Sequence, residues 1–526
     1  SGQTLYKQIK NNLNNAKLKS YYTRFKNKLQ KDIRLTREAY YKNIFEQCKG
    51  NSKETWKRVN ELTRQREKSK SNINLIVGDG LITDPQLVSK EFNKYFLTVA
   101  EGLCCQDDAE KQNLPNELAN FFVVKDELSS FFVGPVLPDD LTLAVNSLRN
   151  GRSPGFDGYS SFLIKTIFPH ISQVFLHIVN LSFTLGEFPE CLKESIVTPL
   201  HKKGSRTSCD NYRPISLVST FSKIIEKLMK QKLINFLSKT KFFSKNQYGF
   251  REGLNTESAI LNLVKSINKG INNTKKVSGL FLDIKKAFDT VNHNILLKKM
   301  YKSGIRGVAY DWFHSYLKNR RQRVRINGVL SESAIIKYGV PQGSVLGPIL
   351  FLIYINDLCN GNFKGLVTSF ADDTAITYIK GSNVEIQEAM NADLAALRYW
   401  FAVNKMILSP EKTVYLNFSL RQTCILLNPV TYKCVDCLTK YTACSQNCVN
   451  LKQCNNIKYL GIFLDENLNW KIHVSRLVGQ LSNHLRIFYF LKDICSSEVL
   501  RTVYFSLVHS KLEYAISAWG GTYATN

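Results

Sequence analysis

Two apolar stretches of this chain run straight into acids. Leu280-Phe281-Leu282 ends on Asp283, and Gly365–Thr368 and Ile376–Ile379 flank Ser369-Phe370-Ala371-Asp372-Asp373-Thr374-Ala375. β-prone segments on both sides of a short polar stretch predict a hairpin with Asp372 and Asp373 in its turn. The Leu280–Leu282 run predicts a strand that delivers Asp283 at its end. Adjacent carboxylates repel, so such a pair is costly unless a cation or solvent compensates. Two strands that each present a carboxylate are what two side-by-side magnesium ions require.

Helical spacing accounts for much of the rest. Helices are predicted from about Pro85 to Gly102, from about Phe162 to Leu185 and over 219–238, where Ile224, Ile225, Leu228, Leu233 and Phe236 are available for one face. Ile386, Met390, Leu394, Leu397 and Phe401 also recur at helical spacing and read as core. Strands are predicted at Glu194–Leu200 and Ile457–Leu464. Gly151-Arg152-Ser153-Pro154-Gly155-Phe156-Asp157-Gly158 is a tight loop. Strands and helices alternate in mixed order through residue 418, which predicts an α+β class rather than a regular βαβ array. Four segments follow: a basic, mainly helical extension over 1–115, the mixed body over 116–420, a Cys-dense insert over 421–456, and a strand with a helical tail over 457–526.

Charge narrows the partners. The 526 residues carry 71 Lys+Arg against 43 Asp+Glu, a formal net charge of +28. Residues 1–70 alone hold 19 Lys+Arg against 6 Asp+Glu, with Tyr21, Tyr22, Phe25, Tyr40, Tyr41, Phe45 and Trp56 interleaved. A basic helical surface with aromatics suits a polyanion, above all nucleic acid. The longest apolar run, Ile349–Ile355, is far short of a membrane span. The first residues hold no apolar signal core, so the 13 cysteines are expected to be reduced thiols. The chain opens on Ser1-Gly2 with no initiator Met, and a fragment of a longer protein is expected.

Six blocks in order resemble the reverse transcriptases of non-LTR (LINE-type) retrotransposons: Ser153–Gly158, Asn211-Tyr212-Arg213-Pro214-Ile215-Ser216, the Asp283 strand, Gly339-Val340-Pro341-Gln342-Gly343-Ser344, Phe370–Asp373 and Tyr459-Leu460-Gly461. The resemblance implies a right-hand polymerase with fingers and palm over 116–420 and a thumb within 457–526. It implies two Mg2+ ions, replaceable by Mn2+, bridged by Asp283 and Asp372 with the Ile284 carbonyl as a further ligand and Asp373 in support. It implies Lys202 and Arg213 on the triphosphate, Phe288 beneath the sugar as the filter against a 2′-hydroxyl, Gln342 beside the nucleotide, and Lys412 as proton donor to pyrophosphate. Tyr459, Leu460 and Gly461 correspond to the primer grip. The implied partners are template RNA, a DNA primer or target, and dNTPs, with endonuclease activity from a segment outside this chain. Action in the nucleus, after assembly with RNA in the cytoplasm, follows from the same resemblance. A group II intron-like or cellular reverse transcriptase, and a silent RNA-binding scaffold, are the alternatives.

Other residues have more ordinary readings. Asp289 reads as a local cap or ion-pair partner near a helix start. Arg320, Arg321, Arg323 and Arg325 form a basic run expected to face a nucleic-acid channel or solvent. Gly339 and Gly343 are expected to let backbone approach the substrate. Cys434, Cys437, Cys444 and Cys448 form two close pairs that suit a tetrahedral zinc site. The short spacing between the pairs, and the variability of such insertions in the family, make unliganded thiols the default reading.

Overall fold

A computed structural model describes residues 15–48, 50–62, 73–104, 122, 126–419, 430–434, 437 and 448–521. It falls into two compact units, Asn72–Gly461 with Asp465–Leu468, and Ser1–Ser71 with Ile462–Leu464 and Asn469–Asn526. Helices and sheets are mixed along the chain, as an α+β protein requires.

A five-stranded sheet organises the larger unit, in the order Lys452–Gln453, Val414–Phe418, Lys276–Leu282, Asp373–Lys380, Leu366–Phe370. Lys276–Leu282 is central and buried beyond its first residue, because Val277-Ser278-Gly279-Leu280-Phe281-Leu282 offers no charge to either face. Asp373–Lys380 runs antiparallel to it with Thr374 opposite Leu282, and Val414 lies opposite Phe281 on the other side. Helices Thr256–Asn272 and Asn383–Val403 pack on this sheet. The first sits so close that a Cβ on Gly270 would lie 2.6 Å from Val277 Cγ2. The second buries Ile386, Met390, Leu394, Leu397 and Phe401, as their spacing predicts.

A second sheet runs Tyr212–Val218, Glu194–His201, Arg321–Ile326, Val329–Leu330, with Ala334–Ile335 paired off Arg321–Ile326. Leu200 stands opposite Arg213, so two stretches of basic loop meet at one end of this sheet. Helix Gly347–Cys359 threads the main core with nearly every residue buried. The carboxylate of buried Glu226, on helix Thr220–Lys239, accepts from the Val345 and Leu346 N–H groups at 2.6 and 3.1 Å. An acid at a helix N-terminus satisfies orphan donors and complements the helix dipole. Trp312, stacked on Tyr316 and edge-on to Phe183 and Phe188, anchors the far side of the core.

Helix Ser161–Leu185 is long and apolar enough to cross a membrane, which the short Ile349–Ile355 run did not suggest. Ile164, Phe175, Val179 and Phe183 seal one side of it into the core, so in this fold it is a packed helix. The basic run also needs correction. Arg320 is fully buried, its guanidinium 4.7 Å from the Tyr316 ring centre and donating to the Tyr316 carbonyl at 3.3 Å. Its long stem and flat cationic head pack against aromatic faces instead of reaching solvent. The strand expected over 457–464 is two strands, Asn456–Tyr459 and Ile462–Asp465, broken where Leu460 and Gly461 take φ of 44° and 95°.

The smaller unit gathers Phe45, Val59, Ile487, Leu491, Val499 and Val503 into its own core. Helix Ala16–Gln47 contributes Phe45 as its one buried residue among those described and leaves its basic length in solvent. In the larger unit, Trp312→Ala is expected to cost about 3–5 kcal/mol of unfolding free energy. Leu128→Ala, at a side chain 93% exposed, is expected to stay within about 0.5 kcal/mol. Chemical denaturation of both variants checks the ranking.

Candidate active site

Strand pairing brings the acids together. Phe370 pairs with Asp373, so Ala371 and Asp372 form the tip of a tight hairpin, with Ala371 at φ 55°. Thr374 pairs with Leu282, so Asp373 and Asp283 each follow directly at this end of the two strands. Three hydrogen bonds fix Asp283 and the residues just after it at the strand end. Its N–H donates to Thr413 Oγ1 at 3.3 Å, its carbonyl accepts from Ser409 N–H at 2.8 Å, and Lys285 N–H donates to the Ile407 carbonyl at 2.9 Å. Ile284 forms an isolated bridge to Leu408 between those bonds.

The charges respond to one another. Loss of surrounding water, then the charges of Asp372 and Asp283, push the Asp373 carboxyl up to about 6. Asp372 is raised chiefly by burial, with Asp283 adding to it. Lys202 and Arg213 pull both acids down, so the basic end of the second sheet faces the acidic end of the first. Lys202 is itself lowered, first by burial and then by Arg213. Lys412 Nζ stands 3.8 Å from Asp283 Oδ2, beside the acids. Tyr459 joins from below, its ring edge-on to Phe281 and its hydroxyl donating to the Thr368 carbonyl at 3.3 Å. Burial, with the Asp373 charge next, raises its phenol, and the Leu460-Gly461 turn follows directly.

Phe288 stacks on Phe351 at 4.3 Å with 19° between planes and meets the Phe250 edge at 6.3 Å. Phe351 belongs to the buried Gly347–Cys359 helix, so Phe288 has a rigid backing. Gln342 is fixed from two sides. Its side-chain amide donates to Asp289 Oδ1 at 2.8 Å, and its carbonyl accepts from Ser216 N–H at 2.8 Å. Asp289 is therefore not a helix cap; Asn292 caps helix His293–Lys302 by accepting from Ile295 N–H. Burial raises the Asp289 carboxyl to about 6, against the Gln342 hydrogen bond. The two loop glycines serve the fold as well. A Cβ on Gly343 would strike the Ser216 carbonyl, and one on Gly339 would lie 2.8 Å from the Asp289 carbonyl, so the close approach is to the protein's own backbone.

One group escaped the sequence reading. Gln247 Oε1 accepts from Ala371 N–H at 2.9 Å, its Nε2 donates to Ser369 Oγ at 3.1 Å, and Tyr248 N–H donates to the Ser369 carbonyl at 2.8 Å. Gly249 lies so near Ala371 that any side chain would strike its N–H. Gln247-Tyr248-Gly249-Phe250 thus cradles the acidic turn. The available signal was a glycine between two aromatics just ahead of the Asn255 helix cap. A second missed contact is at Lys286, which donates to the Tyr95 hydroxyl at 2.6 Å and lies 3.5 Å from Asp210.

Residues 200–464 match the model of the family described as reverse transcriptase (RNA-dependent DNA polymerase). The chain belongs to this family. A Drosophila melanogaster protein named "Probable RNA-directed DNA polymerase from transposon BS" is 30% identical over 74% of this chain and 42% of its own length. A second from that organism, "Probable RNA-directed DNA polymerase from transposon X-element", is 27% identical over 74% of this chain and 42% of its own length. The same organism's "RNA-directed DNA polymerase from mobile element jockey" is 29% identical over 62% of this chain and 35% of its own length. The chain spans less than half the length of each. The acidic turn, the Asp283 strand, Phe288 and the Tyr459 turn all fall inside the matched segment.

Because its carboxyl is raised when folded, Asp289 contributes stability that is complete below the ordinary carboxylate range and lost as pH rises through about 6. Asp289→Asn imitates the protonated form at every pH. The variant is expected to be more stable than the parent at about pH 8, by roughly 1 kcal/mol or more, with a smaller advantage at about pH 5. Thermal unfolding at the two pH values checks this. An advantage independent of pH removes the charge argument.

Proposed function

We propose that this chain is the polymerase portion of a non-LTR retrotransposon protein. It copies element RNA into DNA by extending the 3′ end of a nicked target, the reaction called target-primed reverse transcription. The observation that carries the reading is the meeting of Asp283, Asp372 and Asp373 at one sheet end, facing Lys202 and Arg213. Membership of the reverse transcriptase family and the names of its relatives support it.

The acids offer hard oxygen donors, and burial, then their mutual repulsion, raises Asp372 and Asp373. That donor set fits Mg2+, with Mn2+ as a substitute. Asp283 and Asp372 would hold two such ions, with the Ile284 carbonyl beside them. When bound, the ions supply charge neutralisation at the attacking and leaving oxygens. Asp373 supports the other two acids from across the strand pair.

The remaining roles belong to the chain's own side chains. Lys202 and Arg213 receive the triphosphate, Arg as a fork and Lys as a point charge. Phe288, backed by Phe351, closes the space a 2′-hydroxyl would need. Gln342, held by Asp289, keeps its position beside the base pair. Lys412 is assigned the proton given to departing pyrophosphate, a role supported by its contact with Asp283. Tyr459, Leu460 and Gly461 hold the primer end. The exposed basic helix Ala16–Gln47 supplies charge for RNA or DNA backbone. Target nicking comes from a segment outside this chain, and the reaction takes place in the nucleus after RNA assembly in the cytoplasm.

Primer extension on an RNA template with Mg2+ and dNTPs tests the reading. The parent chain is expected to make DNA, and Asp372→Asn to lose roughly 10²–10³-fold in rate. Phe288→Val is expected to admit rNTPs that the parent rejects. No product from the parent supports a silent scaffold instead, and equal rates for parent and Asp372→Asn overturn the assignment of the acids.

A further inference from the structure

The insert that follows strand Val414–Phe418 contains a thiol cluster independent of the polymerase reading. Cys434, Cys437 and Cys448 bring their sulfur atoms within 4.8 Å of one another; Cys444, the fourth cysteine of the expected site, lies outside the described residues. Their convergence is built by a short ladder. Thr431–Tyr432 pairs antiparallel with Val449–Asn450, Tyr432 opposite Val449, so Cys434 and Cys448 lie just past the last pair. Thr431 Oγ1 donates to Asn450 Oδ1 at 2.8 Å, and Leu451 N–H donates to the Val430 carbonyl at 2.8 Å. Val430, Tyr432 and Leu451 are buried in the main core, so the base of the cluster cannot drift. Arg398 lies over the Tyr432 ring at 5.3 Å and braces it further.

The Cys434–Cys448 spacing fits a metal site. Cys434 and Cys448 sulfurs are 3.8 Å apart. A disulfide needs about 2.05 Å between sulfurs. Tetrahedral bonds of about 2.3 Å from zinc to sulfur give sulfur–sulfur edges of about 3.8 Å. The Cys434 N–H donates to Cys448 Sγ at 3.4 Å, a further tie between the two residues. Cys434 and Cys437 stand in the Cys-x2-Cys spacing that lets one short turn supply two ligands. Three soft thiolates select zinc over magnesium or calcium, and no carboxylate joins them among the described residues.

We propose that Cys434, Cys437 and Cys448 bind a structural zinc ion, with a donor outside this trio at the fourth vertex. Each ligating thiol gives up its proton to solvent as its sulfur–zinc bond forms, and no oxidation is involved. The ion ties Cys434 and Cys437 to Cys448, close along the chain to the sheet edge where Lys452–Gln453 pairs with Val414–Phe418. Its role is to fix the insert, away from nucleotide chemistry.

The test is metal analysis of the full chain, expressed with zinc in the medium and purified in a phosphine reductant. One zinc per chain is expected, falling at least tenfold in Cys434→Ser, Cys437→Ser and Cys448→Ser. Cys454→Ser is the control that keeps the ion, because that thiol instead donates to the Tyr415 carbonyl at 3.5 Å. Cobalt exchanged into the parent chain gives a second readout that does not depend on any variant folding. It is expected to show thiolate-to-metal charge transfer and the strong visible bands of a tetrahedral ion. Background zinc in the parent, full zinc in the Cys434→Ser/Cys448→Ser pair, or bound cobalt without charge transfer each overturns the proposal. So does a Cys434–Cys448 disulfide as the form isolated without reductant.

Discussion

Like charges forced together at the end of a sheet are the constraint on which this structure depends. Strand register brings Asp283 and Asp373 to the same sheet end, and Asp372 lies in the turn beside Asp373. Lost hydration, and then repulsion, raise both carboxyls, Asp373 to about 6. A fold bears that cost where the opposing charge arrives from elsewhere. Lys202, Arg213 and Lys412 provide part of it, and the proposed metal ions and triphosphate would supply the rest.

The surroundings keep the acids from relaxing apart. Gln247 grips the turn through both ends of its amide, and Gly249 gives up its side chain so that the two backbones can touch. Glu226 fixes the start of helix Gly347–Cys359, and Phe351 on that helix supports Phe288. Asp289 orients Gln342 from inside the unit. Each of these is a tertiary contact worth a kcal/mol or so, yet together they set the ring and the amide relative to the acids. A site with little freedom to rearrange on binding suits a reaction accelerated by positioning and charge.

What the sequence disclosed follows from this division. Asp283 and the Asp372 turn were legible because each sits next to an apolar run whose period states its structure. The helices over 161–185, 220–239 and 383–403 were legible for the same reason, and the α+β class with them. Gln247 was not, since its partners Ser369 and Ala371 lie more than a hundred residues away and a glutamine in a loop carries no periodic signal. Arg320 misled for the opposite reason. Its neighbours Arg321, Arg323 and Arg325 suggested one exposed basic run, whereas Tyr316 and Phe188 bury it. The break at Leu460-Gly461 was hidden inside a stretch apolar enough to read as one strand.

The most direct measurement of the central claim is anomalous scattering from Mn2+ in crystals of this chain with an RNA template, a DNA primer and a non-reactive dNTP. The account predicts manganese bound by the carboxylates of Asp283 and Asp372, with the triphosphate reaching Lys202 and Arg213. A fully bound nucleotide with no metal at Asp283 or Asp372 would contradict it.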